Sequence, residues 1–385
     1  MIHFSGNITS KLPSVGTTIF SQMSALANEH NAVNLSQGFP DFSIDPLLIE
    51  LVNKHMLAGS NQYAPMPGQA KLREVLCDKL ERSYGIKYDY NTEITVTSGA
   101  TQAIYTAISA FIRDEDEVII FTPAYDCYAP AINLNGGKAI YCPLEGPNYD
   151  YDWEMVKKMV TNRTKMIIIN SPHNPTGSIA SKQDMQTLEE IIKDRDIIVL
   201  SDEVYEHIIF DKEEHQSICN YPHLATQSMA VFSFGKTFHL TGWKLGYIVG
   251  PEQLMKEFRK VHQFNVFSAN HPLQAAIADY IESGNVYNEL GTFYQEKRDY
   301  FTSAVEASNF DILPCKGTYF QLLSYKNISD KTDVDYAIEL TKTKGIASIP
   351  VSVFYNSKKD DQVLRFCFAK KEETLKRACH ILTTI

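Results

Sequence analysis

A chain of 385 residues is long enough for two or three domains with sizeable hydrophobic cores. Its 44% hydrophobic and 21% charged residues are close to the averages of globular proteins, which argues against a disordered, collagenous or coiled-coil protein. Lysine and arginine number 36 against 46 aspartates and glutamates, and the net charge of -10 lacks the basic excess typical of nucleic-acid binding.

The spacing of the cysteines and the N-terminal sequence predict the cellular compartment of the protein. The seven cysteines are widely spaced and include no Cys-x-x-Cys pair, so we expect buried thiols in a reducing environment and no zinc site. The N-terminus lacks the basic and apolar regions of a signal peptide, and no apolar run approaches the length of a membrane span. These features predict a cytoplasmic protein.

Short runs rich in apolar and β-branched residues alternate with helical patterns. Such runs are typical of strands buried on both faces of a sheet, so the alternation predicts an α/β domain. The runs lie at residues 94–97, 117–121, 165–170, 197–201, 229–234 and 247–249.

Helices are predicted from the spacing of apolar residues. One helix is indicated by Leu72, Val75, Leu76, Lys79 and Leu80, which follow helical spacing, and another apolar helix spans residues 101–112, directly after the first strand. Beyond about residue 280 a polar helical stretch leads into residues 311–323. Thr332 and Gly345 then predict the start and end of a further helix, and residues 375–382 repeat at helical spacing. This part of the chain is predicted to form a separate α+β unit.

The densest cluster of chemically active residues is the segment 233–247, Ser-Phe-Gly-Lys-Thr-Phe-His-Leu-Thr-Gly-Trp-Lys-Leu-Gly-Tyr. Apolar neighbours remove hydration from a lysine, which lowers its pKa and frees the amine to form a Schiff base. Lys236 and Lys244 are the candidates, and a surface loop with solvated lysines is the alternative. A nucleotide-binding P-loop is a second alternative, but Ala230 occupies the position where that motif needs glycine.

Two further segments lie at strand ends. Ser98-Gly99-Ala100-Thr101 lies between a strand and a helix, where free backbone amides and the helix dipole favour an anion, although small residues also occur there for steric reasons. Asp202 ends an apolar strand at the edge where open α/β sheets bind ligands. Its alternative role is to cap the next helix.

Asn174 and Arg365 also have two interpretations. Asn174-Pro-Thr-Gly177 is by default a turn, because proline fixes φ and glycine supplies positive φ. Arg365 interrupts an apolar strand at residues 363–368, and a guanidinium there needs a carboxylate partner. That partner is either a ligand or a structural ion pair.

Taken together and in this order, the motifs resemble those of the pyridoxal-phosphate-dependent class I aminotransferases of fold type I, and the similarity runs through nearly the whole chain. It is nearest to bacterial methionine aminotransferases and kynurenine aminotransferases, as the segments 34–41, 61–66, 125–130 and 233–247 suggest. The resemblance implies a large pyridoxal-phosphate-binding domain at 41–280, with a mostly parallel central sheet in a three-layer α/β/α arrangement. It also implies a smaller α+β domain at 281–385, against which an N-terminal segment, residues 1–40, packs.

The resemblance also implies roles for the residues around the cofactor. Lys236 would form the Schiff base with pyridoxal phosphate and move the proton between the substrate Cα and the cofactor. Asp202 would face the pyridine nitrogen and keep the ring protonated. Tyr205 and Asn174 would donate to the phenolic oxygen, and Tyr125 would lie over the ring.

The cofactor phosphate would lie at the Gly99 turn. The amides of Ala100 and Thr101 would bind it, with Ser233 and Lys244 completing the site. Lys244 departs from much of the wider class, where arginine holds this position, and a lysine acts there as a point charge and not as a two-pronged donor.

Substrate and partner contacts are implied as well. Arg365 would bind the substrate α-carboxylate, assisted by Asn174 and by the chain at Gly38 and Phe39. Tyr63 would reach the phosphate bound by the neighbouring subunit, so the resemblance implies a homodimer with its active site at the interface.

The implied reaction is a ping-pong transfer of the amino group of L-methionine, and of aromatic amino acids, to a 2-oxo acid. The residues expected near the substrate side chain are Phe39, Tyr63, Phe238 and Phe267. Such an apolar pocket discriminates poorly between similar side chains. Two alternatives stay open: a β-lyase that cleaves cysteine conjugates or cystathionine, and a non-enzymatic pyridoxal-phosphate-binding regulator, whose DNA-binding domain has little room before residue 34.

Overall fold

The computed structural model describes residues 1–13, 15–284 and 287–385. Its strands are β1 (Val33–Asn34), β2 (Ile94–Thr97), β3 (Glu117–Thr122), β4 (Lys138–Pro143), β5 (Thr164–Asn170), β6 (Ile198–Asp202), β7 (Ser228–Ser233), β8 (Gly246–Val249), β9 (Asp311–Ile312), β10 (Phe320–Ser324), β11 (Ile346–Ala347), β12 (Ile349–Pro350) and β13 (Val363–Cys367).

The α-helices lie between these strands, except that the first precedes β1 and the last follows β13. They are α1 (Ile19–Glu29), α2 (Pro46–Leu57), α3 (Ala70–Tyr84), α4 (Ala100–Phe111), α5 (Tyr128–Leu134), α6 (Trp153–Met159), α7 (Lys182–Ile192), α8 (Pro222–Ala225), α9 (Phe234–Thr237), α10 (Glu252–Asn265), α11 (His271–Glu282), α12 (Leu290–Val305), α13 (Asp333–Glu339) and α14 (Glu372–Leu382). A π-helical turn, Leu340–Lys344, follows α13. No helix in the described ranges combines the length and the apolar character needed to cross a membrane.

The largest sheet has seven strands in the order β2-β8-β7-β6-β5-β3-β4. Its strands pair in parallel except that β8 runs antiparallel to both β2 and β7. The predicted α/β fold with a mostly parallel sheet is confirmed, and the six predicted strands are present with ends displaced by at most one residue. Strand β4 was not predicted, because it forms one edge of the sheet and its partly exposed residues make no continuous apolar run.

Hydrophobic cores cover both faces of this sheet. In β5, Ile167 and Ile169 face one core while Met166 and Ile168 face the other, because successive side chains of a strand point to opposite faces. This two-sided burial explains why the strands read as continuous apolar runs.

A second unit is built around an antiparallel sheet in the order β12-β13-β10-β9. Thr332 caps α13 by accepting from the amide of Asp335, and Gly345, with a φ of 76°, ends the π-helical turn, as predicted. Near the N-terminus, β1 pairs in parallel with β11 of this unit. The domain boundaries at residues 40 and 280 stay predictions.

Close packing at Gly246 brings the sheet and the start of α4 together. A Cβ atom at Gly246 would lie 2.5 Å from the carbonyl oxygen of Phe232 and 3.2 Å from the amide nitrogen of Ala100. Both of these atoms belong to backbone that is fixed by the sheet and the helix. The absence of a side chain is therefore what lets β7, β8 and α4 meet at one point.

We expect Gly246→Ala to lower the free energy of unfolding by about 1–3 kcal/mol, the usual cost of inserting a methyl group into a packed core. Urea denaturation would measure the change. Gly242→Ala is the matched control, because nothing lies within 4 Å of a Cβ at that exposed position. Equal stability of the two variants would contradict the packing argument.

Candidate active site

Two adjoining cavities open at the carboxyl ends of β5, β6 and β7. The first, of about 150 Å³, is lined by Gly99, Ala100, Thr101, Ile104, Tyr125, Asn170, Asn174, Asp202, Val204, Tyr205, Ser233, Gly235, Lys236, Thr241, Lys244 and Leu245. The second, of about 240 Å³, shares Tyr125, Asn174, Tyr205 and Lys236 with it and adds Thr18, Phe20, Gly38, Asp126, Phe320 and Arg365. The structure thus brings together every predicted site residue except the four aromatic residues Phe39, Tyr63, Phe238 and Phe267.

Lys236 lies in the short helix α9, immediately after β7. Its Nζ donates to Tyr319 Oη at 2.6 Å and to the carbonyl oxygen of Gly38 at 3.2 Å. Loss of hydration lowers the pKa of Lys236 to about 8, which leaves on the order of a tenth of the amine neutral at pH 7. For Lys236, the prediction of a desolvated, nucleophilic lysine agrees with this environment. Lys244, the other candidate, is exposed, as the surface-loop alternative expects.

Asp202 is the last residue of β6 and is only 4% exposed. Burial raises the pKa of its carboxyl group to about 6, although the hydroxyl of Tyr128, the amide of Val204 and the charge of Lys236 act in the opposite direction. Tyr128 Oη donates to Asp202 Oδ2 at 2.6 Å. The helix-cap alternative is wrong, because the chain after Asp202 forms a turn in which its side chain accepts from the amide of Val204.

The N-terminus of α4 provides an anion site. Gly99, with a φ of 83°, occupies the N-cap position, and no side chain caps the helix. The amides of Ala100 and Thr101 therefore face the cavity at the positive end of the helix dipole. A Cβ at Gly99 would lie 3.7 Å from Lys244 Nζ, so the ammonium group is adjacent to these amides.

Arg365 is 1% exposed and lines the second cavity. Its Nη1 donates to Asn174 Oδ1 at 2.7 Å, and its guanidinium carbon lies 3.9 Å from the centre of the Phe320 ring. Within the described residues it forms no salt bridge, and its Nε has no hydrogen-bond partner. The structural ion pair considered from the sequence is therefore wrong, and the guanidinium lines the second cavity with no carboxylate of the described residues in salt-bridge contact.

The aromatic residues expected around the substrate lie elsewhere in the single chain. Phe238 packs against Tyr280 in the core and is 6% exposed. Tyr63 is 80% exposed and contacts Phe267 edge to face, with ring centres 5.1 Å apart. Phe39 is 45% exposed. The prediction that Phe238 contacts substrate is corrected, because its ring fills the core beside α11.

Sequence reasoning missed two tyrosines of the site. Tyr128 belongs to the segment 125–130 that carried part of the resemblance, and its position three residues after Tyr125 at the start of α5 was the available signal. Tyr319 has no comparable signal. It precedes β10 in the second unit, more than eighty residues from Lys236, and it donates to the carbonyl oxygen of Gly38 at 2.5 Å.

The site therefore combines four chemical groups in a small volume. It has an amine with a lowered pKa, a buried carboxylate, an anion site at a helix N-terminus and a guanidinium that forms no salt bridge within the described residues. This arrangement fits a phosphate-bearing aldehyde next to a carboxylate-bearing substrate.

Comparison with known proteins points in one direction. The sequence model described as "Aminotransferase class I and II" matches residues 30–382. The methionine aminotransferase of Escherichia coli K12 is 47% identical over 374 residues, which cover 97% of each chain. Human kynurenine-oxoglutarate transaminase 1 is 31% identical over 91% of each chain. The solved structure of Escherichia coli YbdL, reported with a methionine aminotransferase function, matches with a TM-score of 0.97 and 46% identity, covering 98% of this chain and 100% of that one.

We expect the reaction of Lys236 with a simple aldehyde to accelerate as pH rises to about 8 and then to level off, because only the neutral amine attacks the carbonyl. Borohydride trapping with acetaldehyde, followed by peptide mass spectrometry between about pH 6 and pH 10, would measure this. Lys376 is the internal control, because its hydrogen bond to Glu372 raises its pKa above the ordinary value, so its labelling should still rise at the upper end of that range. A parallel rise at the two lysines would contradict the argument.

Proposed function

The chain belongs to the class I and II aminotransferase family, and from this we propose that it is a pyridoxal-phosphate-dependent transaminase acting on L-methionine and aromatic amino acids, with a 2-oxo acid as acceptor. The observation that carries the proposal is the meeting of Lys236, Asp202 and the N-terminus of α4 in one cavity, beside Arg365. The high identity to a methionine aminotransferase supports the choice of donor.

The residues present fit the cofactor. The amides of Ala100 and Thr101, together with Lys244, would hold its phosphate, since Gly99 leaves this space free of a side chain. Asp202 would hold the pyridine nitrogen, and the hydroxyl of Tyr128 orients that carboxylate by donating a hydrogen bond to it. When bound, pyridoxal phosphate supplies an electron sink for the negative charge that develops at the substrate Cα.

Lys236 has the properties of the proton carrier. Its Nζ, held by Tyr319 and Gly38, would accept the proton from the substrate Cα and donate it to the cofactor. Burial raises the pKa of Tyr205 well above its ordinary value, so its hydroxyl stays protonated and is available as a hydrogen-bond donor.

Arg365 would orient the substrate through its α-carboxylate. The planar guanidinium matches a carboxylate in a two-pronged pair, and Asn174 already fixes one of its nitrogens. Asp126 also lines this cavity, and its negative charge disfavours donors whose side chain is a second carboxylate. A neutral thioether or aromatic side chain meets no such repulsion.

The β-lyase and regulator alternatives gain no support from the relatives compared above, which are all named as aminotransferases or transaminases. A product assay distinguishes a β-lyase from a transaminase, because a lyase releases ammonia without any 2-oxo acid acceptor.

A homodimer is part of the proposal. Tyr63 is exposed on its own chain, and so are Phe264 and Phe267, which are 91% and 42% exposed. Exposed aromatic side chains in one region mark an interaction surface. We infer that this surface packs against the partner subunit. The hydroxyl of Tyr63 would then reach the cofactor phosphate that the partner subunit binds.

The proposed reaction predicts a spectral change without any acceptor. Protein loaded with pyridoxal phosphate should absorb in the visible range, and L-methionine should move this band to the near ultraviolet. One oxo acid should form per cofactor, because half of the reaction is complete. Absorbance and quantification of the methionine-derived oxo acid would measure this, with L-aspartate as a poor donor in parallel.

Lys236→Ala is the control for that experiment. It should bind the cofactor and fold normally but convert methionine more slowly by on the order of a thousandfold, because the proton carrier is gone. Wild-type conversion by this variant, or a preference for aspartate in the native protein, would refute the proposed mechanism or the proposed donor respectively.

For the dimer, we expect sedimentation of two chains per particle. Tyr63→Phe should lower the affinity for pyridoxal phosphate about tenfold, because a hydrogen bond to a charged group is lost. Cofactor titration followed by fluorescence would measure the change, with Tyr105→Phe as an exposed control. A monomeric protein with full activity would contradict the shared site.

A further inference from the structure

A buried ion pair lies behind the wall of the active site, on the far side of the turn that follows β6. Lys79 of α3 is 3% exposed and Glu206 is 6% exposed. Lys79 Nζ lies 2.5 Å from Glu206 Oε2, and Tyr84 Oη donates to the same oxygen. Lys79 also donates to Tyr247 Oη at 3.1 Å.

Aromatic rings enclose the ammonium group. The Nζ atom lies between 5.1 and 5.8 Å from the centres of four rings, those of Tyr84, Phe232, Tyr247 and Tyr287. These ring faces and the carboxylate replace the water that the cation loses. The pair is thus a built, fully enclosed feature and not a surface contact.

Glu206 belongs to the same short segment as two residues of the proposed active site. Asp202 ends β6, Tyr205 follows three residues later, and a turn is closed by hydrogen bonds from the amide of Glu206 to the carbonyl of Glu203 and from that of Ile208 to the carbonyl of Tyr205. Asp202 and Tyr205 face the cavity, whereas the carboxylates of Glu203 and Glu206 take their partners on the other side.

Glu203 secures the other half of this segment. Its Oε1 accepts from Ser201 Oγ at 2.8 Å and from the amide of Ile218 at 3.1 Å, and its Oε2 lies 2.8 Å from His215 Nε2. Every carboxylate oxygen on the rear side of the turn except Glu206 Oε1 therefore has a hydrogen-bond partner within the described chain.

Stability alone does not account for burying a lysine and a glutamate here. The loss of hydration usually offsets their attraction, and shape-matched apolar residues often give an equally stable protein. What an ion pair adds is direction, because a carboxylate held by a lysine and a tyrosine has one geometry. An apolar pair would leave the turn free to shift.

We propose that the Lys79–Glu206 pair is a positioning device that fixes the orientation of Asp202 and Tyr205 toward the cofactor. The roles of these two residues rest on the proposed function, but their positions in the protein do not. Lys79 and Glu206 touch neither cofactor nor substrate and act only through the turn.

The test replaces the pair by apolar residues of similar volume, Lys79→Met with Glu206→Leu. We expect this double variant to fold but to unfold at a lower urea concentration than the wild type, because the hydroxyls of Tyr84 and Tyr247 lose their partners. It should turn over methionine at least tenfold more slowly and keep its KM within about threefold. The pH midpoint of the visible cofactor band should shift, because that band senses the groups around the ring. Glu117→Leu with Arg163→Met, an ion pair at the opposite end of the sheet, is the control expected to leave turnover and the band unchanged.

Two further measurements keep the outcome decisive. Tyr84→Phe removes one hydrogen bond to Glu206 and leaves the ion pair, so a smaller shift of the same band is expected even if the double variant does not fold. A crystal structure of the cofactor-free double variant should show Asp202 and Tyr205 displaced. Unchanged positions of both side chains, or an unchanged band and turnover, would overturn the proposal. The crystallographic result holds whether or not the protein proves to be a transaminase.

Discussion

Loss of hydration around charged groups is the constraint on which the site depends. The amine of Lys236, the carboxylate of Asp202 and the guanidinium of Arg365 are all removed from water, and burial shifts the pKa of each toward its neutral form. The large sheet brings two of these groups to one edge, Asp202 at the carboxyl end of β6 and Lys236 just after β7, while cores on both of its faces exclude solvent. Arg365 comes to the same place from β13 of the second sheet. The free-energy cost of removing these groups from water is offset only in part, by their hydrogen bonds with Tyr128, Tyr319 and Asn174.

Much of the fold and of the site is visible in the sequence, for a physical reason. Strands buried on both faces must be apolar along their whole length, so a polar residue at a strand end, such as Asp202, stands out. Such polar residues at strand ends, together with Gly99, Lys236 and Arg365, belong to short motifs that follow one another in a fixed order. The edge strand β4 was not predicted, because its half-exposed residues do not form a continuous apolar run.

Contacts between distant parts of the chain could not be predicted in the same way. Tyr319 reaches Lys236 from the second unit, and Gly38 joins both from near the N-terminus, so the relation depends on how three separate segments pack. Lys79 illustrates the same limit. Its place on an apolar helix face was readable, but its partner Glu206 lies 127 residues away, and only the folded chain shows that they meet.

The reversed direction of β8 has a consequence for how the site is encoded. Because β8 runs antiparallel to β7, the connection between them stays at the edge where β7 ends and does not cross to the far side of the sheet. One continuous piece of chain, Ser233 to Gly246, therefore delivers both the reactive amine and the ammonium of the anion site. The distance between these two charges is therefore set by the geometry of one loop. The whole segment could be exchanged between related proteins in a chimera without changing that distance.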